Sequence, residues 1–291
     1  MGKENREIPR SSKMEGPRQE GGAERQEKEP RHEPRFTVFL IRHGQSEEDK
    51  TKPNRGLTDL GKRQVLATMH EILEELRQES TRLEEVEFHL RDSGTERTLQ
   101  QVWEEHRALL QAGVPEQNIV LPKAVLEYRG IDSSEAGPGI ARRLKGVQGL
   151  DTTPEFRKKL RSKEYQEQLG ASSDVEAWAL APEEHVPSGV ETRTQMQERY
   201  EKDLATAERV INYKIGKHPK RVIVIANAHA SIATLAAASE FSIPLDRLMK
   251  NIGEVPEAEG LRYDFYGAGS THNTTPVGQK LREAVEALKS V

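Results

Sequence analysis

The eight residues Arg221-Val-Ile-Val-Ile-Ala-Asn-Ala228 constrain the fold more than any other stretch of this chain. Six of them are apolar, without the alternation of a half-exposed strand. A short, valine- and isoleucine-rich run of this kind predicts a strand of a parallel sheet covered on both faces. Phe36-Thr-Val-Phe-Leu-Ile41 is a second such run, and its one polar residue, Thr37, is itself a good strand former. Each run ends at a histidine, in Arg42-His43-Gly44 and in His229-Ala230-Ser231. In an open α/β sheet, ligands sit beyond the carboxyl ends of the strands. Both histidines are therefore delivered to the edge where such a sheet binds its ligand.

Helices fall between the strands. Thr58 suits an N-cap, and Val65, Met69, Ile72, Leu73 and Leu76 recur at helical spacing behind it. Val86–Leu90 reads as a second strand, with His89 most simply one of its residues, and a helix opens near Arg97. Residues 118–126 read as a short third strand. A helix is expected over 154–168, and a long one opens at Ser188-Gly-Val-Glu191 and stops near Gly216. An apolar helix follows over Ile232–Phe241, then a strand at Leu261–Tyr266 and a last helix over Thr275–Ser290. Strands alternating with helices predict an α/β, three-layer sandwich: a mainly parallel central sheet with helices on both faces. Residues 131–187, where the pattern weakens, read as a small inserted cap segment. Residues 1–34 hold eight basic and eight acidic residues and almost no apolar side chains, so they read as a disordered tail before a domain over 35–291.

Composition removes several classes of function. The formal net charge is −4, which does not suit a general nucleic-acid binder. There is no cysteine, so disulfide and thiolate chemistry are excluded. No apolar run nears the ~18 residues of a membrane span, and no apolar core follows the first basic residues as in a signal peptide. A soluble, cytoplasmic protein without a membrane partner is expected; composition leaves the oligomeric state open.

Arginine beside histidine at a strand end suggests phosphate chemistry. The guanidinium is a planar fork of donors, histidine can attack phosphorus, and Gly44 lets backbone N–H groups approach an anion. Arg97 would stand in the first turn of its helix, where an anion is also favoured. Taken alone it would read as a solvated arginine.

Three features together resemble the histidine phosphatase superfamily, which includes the cofactor-dependent phosphoglycerate mutases. They are Arg42-His43-Gly44, the turn Ser93-Gly-Thr-Glu-Arg97-Thr-Leu-Gln100, and His229 at the end of the later strand. Leu57-Thr-x-x-Gly61-x-x-Gln64 also follows the family pattern. The resemblance implies a phosphomonoester hydrolase with His43 as nucleophile and with Arg42, Arg97 and His229 on the phosphoryl oxygens. Glu127, in Leu126-Glu-Tyr-Arg-Gly130, would be the proton donor, with Asp132 and Glu135 as competitors. The implied substrate-binding set is Arg42, Gly44, Ser46, Arg97, His229 and Ala230. No metal and no cofactor are implied, and the partner is a small phosphorylated substrate or a phosphopeptide. The segment 131–187 would lie over the site and select the substrate, with His185 a possible supporting residue where it returns. The chain departs from the mutase pattern: Asp49, Lys50 and Thr51 stand where an asparagine is usual, and no Gly-Trp-x-Asp stretch follows.

Other readings are a mutase using the same chemistry and a pseudoenzyme that only binds phosphorylated ligands. The first is disfavoured by the missing loop features, the second by the filled key positions. A Rossmann-type nucleotide binder would need more glycines than Gly44 after the first strand. A metal hydrolase would need clustered ligands, whereas the histidines are scattered.

Overall fold

The computed structural model describes residues 34–47, 55–122, 152–215, 220–266 and 272–290. The tail reading for 1–34 falls almost wholly outside these residues. So do Glu127, Asp132 and Glu135.

Six strands form one sheet: β1 (Phe36–Arg42), β2 (Val86–Arg91), β3 (Ile119–Val120), β4 (Arg221–Ala228), β5 (Gly260–Phe265) and β6 (Asn273–Val277). Their order is β3-β2-β4-β1-β5-β6. β3, β2, β4 and β1 run parallel, while β5 is antiparallel to both neighbours. Nine helices are described: α1 (Asp59–Gln78), α2 (Glu96–Gln111), α3 (Pro154–Leu160), α4 (Lys163–Leu169), α5 (Asp174–Leu180), α6 (Arg193–Ile215), α7 (Ala230–Glu240), α8 (Leu245–Ile252) and α9 (Gln279–Lys289).

The core lies in two apolar layers, one on each face of the sheet. Phe39, Ile41, Phe88, Leu90, Ile223 and Ile225 pack against α1 and α2. Leu40, Val222, Val224, Ala226, Leu261 and Tyr263 pack on the other side with α3 to α9. Successive residues of β4 therefore enter opposite layers, which is why its sequence is apolar without alternation. α1 buries Val65, Met69, Ile72, Leu73 and Leu76 as its spacing predicts, and Thr58 caps it by accepting from Gly61 N at 3.0 Å.

Two expectations are corrected. Asn273–Val277 is an edge strand, not helix, and Pro276, which has no N–H to donate, is tolerated there. The span expected as one helix over 154–168 is two, because Ser162 starts a new helix by accepting from Tyr165 N. The sheet is mainly parallel, as expected; among the described strands β5 alone runs against the others, because the chain crosses between β4 and β5 through two helices, α7 and α8, and so re-enters from the carboxyl end. Of the strand expected over 118–126, Ile119 and Val120 pair with β2, and residues 123–126 lie outside the described residues. Of the segment 131–187, the described part is α3, α4, α5 and a 3-10 turn at Glu183–His185. Phe156, Leu160, Tyr165 and Trp178 join the same apolar layer as β4 and α7.

Candidate active site

Register brings the two histidines together. Arg42 pairs with Ala228 across parallel strands, so the next residues, His43 and His229, leave neighbouring strand ends side by side. His43 N–H donates to Ala228 O at 3.1 Å, and the ring centroids lie 5.5 Å apart. Arg97 comes from the first turn of α2. That turn is tied down by the Thr98 hydroxyl, which accepts from Ser93 N at 3.3 Å and Thr95 N at 3.2 Å. Arg97 Nε donates to His43 Nε2 at 2.9 Å, and Arg97 Nη2 donates to His229 Nδ1 at 3.1 Å.

These bonds fix both tautomers, because a guanidinium only donates. His43 Nε2 accepts, so Nδ1 carries the hydrogen and donates to Gly44 O at 2.8 Å. His229 Nδ1 accepts, so Nε2–H donates to Ser93 Oγ at 3.0 Å. Burial first, then the charge of Arg97, holds the His43 imidazole well below its ordinary range; the bond to Gly44 O opposes this. Burial and the charges of Arg97 and Arg42 lower His229 to about 4. Both rings are neutral at neutral pH, and the unprotonated Nε2 of His43 faces Arg97.

Gly44 has a steric reason. A Cβ there would lie 2.5 Å from the carbonyl oxygen of Gly61, because the turn crosses the start of α1 backbone to backbone. Ser46 forms an isolated antiparallel bridge with Leu57 on the same turn. Ala230 is the first residue of α7, which His229 precedes as N-cap.

Arg42 is held differently. Its Nη1 donates to Val255 O at 2.6 Å, and Nη2 pairs with Glu254 at 2.9 Å. Ser173, the N-cap of α5, donates to the same Glu254 at 2.7 Å, which links the inserted helices to Arg42. A cleft of about 950 Å³ opens on this side of Arg42, lined among others by Gln64, Glu71, Glu254 and Glu257. Its largely acidic lining does not suit a phosphate.

His89 is buried in β2 and bonded to Glu87, as a strand residue should be. His185 is exposed on its 3-10 turn. Sequence reading missed several groups. Arg91, at the end of β2, has buried Nε and Nη2 atoms without a hydrogen-bond partner, and burial lowers it to about 10. Gln101, Glu105 and Asn227 are buried polar residues behind the Arg-His-Gly turn. Glutamine and glutamate four apart on one helix were the visible signal for the pair on α2.

No protein-family model matches the chain, and no curated protein does. Solved structures similar to it include a mycobacterial glucosyl-3-phosphoglycerate phosphatase in complex with inorganic phosphate, at 13% identity and TM-score 0.44, covering 84% of this chain and 98% of that one. Phosphoglycerate mutase from Bacillus anthracis str. Sterne matches at 13% identity and TM-score 0.46, over 87% and 96%. Bacillus stearothermophilus YhfR matches at 13% identity and TM-score 0.45, over 84% and 99%. These are proteins of the histidine phosphatase superfamily. Superpositions this loose do not bear on the chemistry of the present chain, whose own geometry must carry it.

Proposed function

We propose that this chain is a phosphoryl-transfer enzyme of the histidine phosphatase kind, hydrolysing phosphomonoesters through a phosphohistidine on His43 without a metal. One observation supports this above the others: a buried, neutral His43, its Nδ1–H held by Gly44 O and its Nε2 facing an arginine that has no carboxylate partner among the described residues. In the reaction, Arg97 Nε–H turns from His43 Nε2 to a phosphoryl oxygen, the freed Nε2 lone pair attacks phosphorus, and the bond to the ester oxygen breaks with its electron pair. That oxygen takes a proton from Glu127. The developing charge on the phosphoryl oxygens is met by Arg97, Arg42 and His229. Water then attacks phosphorus, gives its proton to Glu127, and the N–P bond breaks with its pair returning to Nε2. Glu127 keeps its role here from sequence alone. The substrate is a small phosphorylated molecule or a phosphopeptide, and the mutase reading differs only in returning the phosphoryl group to an acceptor hydroxyl.

The test is His43→Ala assayed on 4-nitrophenyl phosphate. We expect turnover to fall by about 10³ or more with the fold retained, and the wild-type protein to carry an acid-labile, alkali-stable phosphate during turnover. Activity should survive EDTA, be inhibited by vanadate, and release inorganic phosphate. Near-normal turnover by the variant would overturn the assignment, and loss with EDTA restored by a divalent ion would overturn the metal-free reading.

A further inference from the structure

Behind the nucleophile lies a buried polar triangle that the chemistry above does not use. Gln101 and Glu105 of α2 are each 1% exposed, and Asn227 of β4 is fully buried. They sit beside an apolar layer, where unpaired polar groups are costly. Gln101 Nε2 donates to Glu105 Oε1 at 3.0 Å and also to Asn227 Oδ1. Asn227 Nδ2 donates to Glu105 Oε2 at 3.0 Å. Both hydrogens of the Gln101 amide are thus committed, and its oxygen is left to accept from Gly44 N at 3.0 Å.

The other peptide of Gly44 is held too, since Gln45 N donates to Gln64 Oε1 at 2.8 Å. In a trans peptide the N–H and C=O point opposite ways. Fixing Gln45 N–H therefore aims Gly44 O back at His43 Nδ1, where it accepts at 2.8 Å. Two glutamine side chains clamp the peptides on either side of Gly44. Gln64 comes from the family-like entry to α1, whereas Gln101 is oriented by Glu105. Asn227 stands two residues before His229, so the triangle also braces the strand end that delivers the second histidine.

We propose that Glu105, with Gln101 and Asn227, is a positioning unit that holds the Arg-His-Gly turn in the shape that presents His43 Nε2 to phosphorus; it acts through the Gly44 peptide and touches no substrate. A carboxylate is required for this job. Ionised, Glu105 accepts from both amides; protonated, it must donate one hydrogen, and the groups facing it from α2 and β4 are amide donors. One bond is then lost and the Gln101 amide can turn its nitrogen toward Gly44 N–H. Burial raises Glu105 to about 7, opposed only by the hydrogen bonds from Gln101 and Asn227, with no charged group among the described residues contributing.

The inference rests on the functional reading above, so its test has one readout that needs activity and one that does not. With 4-nitrophenyl phosphate, Glu105→Gln should lower kcat about 10- to 100-fold and leave KM within about twofold. The wild-type kcat should rise through a limb near pH 7 that the variant lacks; a merely structural loss would lower activity evenly across pH. Unchanged kcat and an unchanged limb would overturn the proposal while leaving His43 as nucleophile. If the variant does not fold, 15N NMR of the wild-type histidines decides. His43 should show a single Nδ1–H tautomer above the limb and a mixture below it. A pattern constant across the limb would overturn the proposal. That spectrum reads the same whether or not the protein hydrolyses phosphate, so failure of the functional reading is seen separately.

Discussion

Arg42 and Arg97 both lie near enough to His43 for their charges to act on it, yet they are held in opposite ways. Arg42, at the end of β1, spends its terminal nitrogens on Glu254 and on Val255 O. Arg97, in the first turn of α2, has no carboxylate partner among the described residues and gives its donors to two neutral histidines. Burial, with Arg55 and Arg42 nearby, lowers Arg97 to about 10. A desolvated cation without a counter-ion costs stability. Kept beside two neutral imidazoles, it makes sense as a charge waiting for an anion. Arg42 is tied to the fold through its terminal nitrogens, whereas Arg97 has no carboxylate among the described residues.

The sharpest way to break this contrast is Arg97→Met. We expect kcat on aryl phosphate to fall by about 10²–10³, the usual cost of removing one preorganised donor to a developing oxyanion. Stability should rise, by on the order of 1 kcal/mol, because a half-buried charge without a counter-ion is gone. A drop in stability measured by urea denaturation would show that Arg97 is structural. Arg42→Met should do the opposite to the fold. It leaves Glu254 and the Val255 carbonyl without their partner and should cost about 2–3 kcal/mol. If Arg42→Met unfolds no more readily than wild type, the two arginines are not distinguished in this way.

The smallest expected effect is on acid stability. His229 has its native pKa lowered to about 4, and His43 is lowered as well. In the unfolded chain both take up protons below about pH 6.5, which the native site does not. Stability from this source is full above that pH and falls as pH drops toward 4. His229→Asn should therefore recover roughly 2 kcal/mol of the loss between pH 7 and pH 4.5, and inorganic phosphate should narrow the gap further by binding the native state. Equal acid sensitivity in variant and wild type would mean that His229 is not the buried neutral group described.

The strands and the main helices were legible because their apolar spacing is a local property. β4 had to be doubly covered, and α1 had to bury the face carrying Val65, Met69 and Leu76. His43 and His229 were legible for the same reason, since each follows directly on such a strand, and Arg97 lies in a compact turn motif. The direction of β5, itself expected as a strand over Leu261–Tyr266, was not, because strand direction depends on how many crossings the intervening chain makes; nor was the edge strand β6. Pro276 and the threonines before it carry little apolar signal on an edge.

What remained for tertiary structure was the commitment of each polar group. From sequence, Glu105 is one more charge on a helix and Glu254 one more in a loop. Which face of α2 turns to the sheet makes Glu105 a buried carboxyl aimed at Gln101 and Asn227. The loop between α8 and β5 brings Glu254 to Arg42 across more than two hundred residues of chain. Periodicity says which side of an element is apolar; it does not say which polar side chains will meet, because hydrogen bonds depend on positions fixed to within an ångström by the packing of distant elements. Sequence alone thus determined the sheet's core strands and the residues delivered to its edge. Only the tertiary structure decided their tautomers, which arginine is paired, and what holds His43 in place.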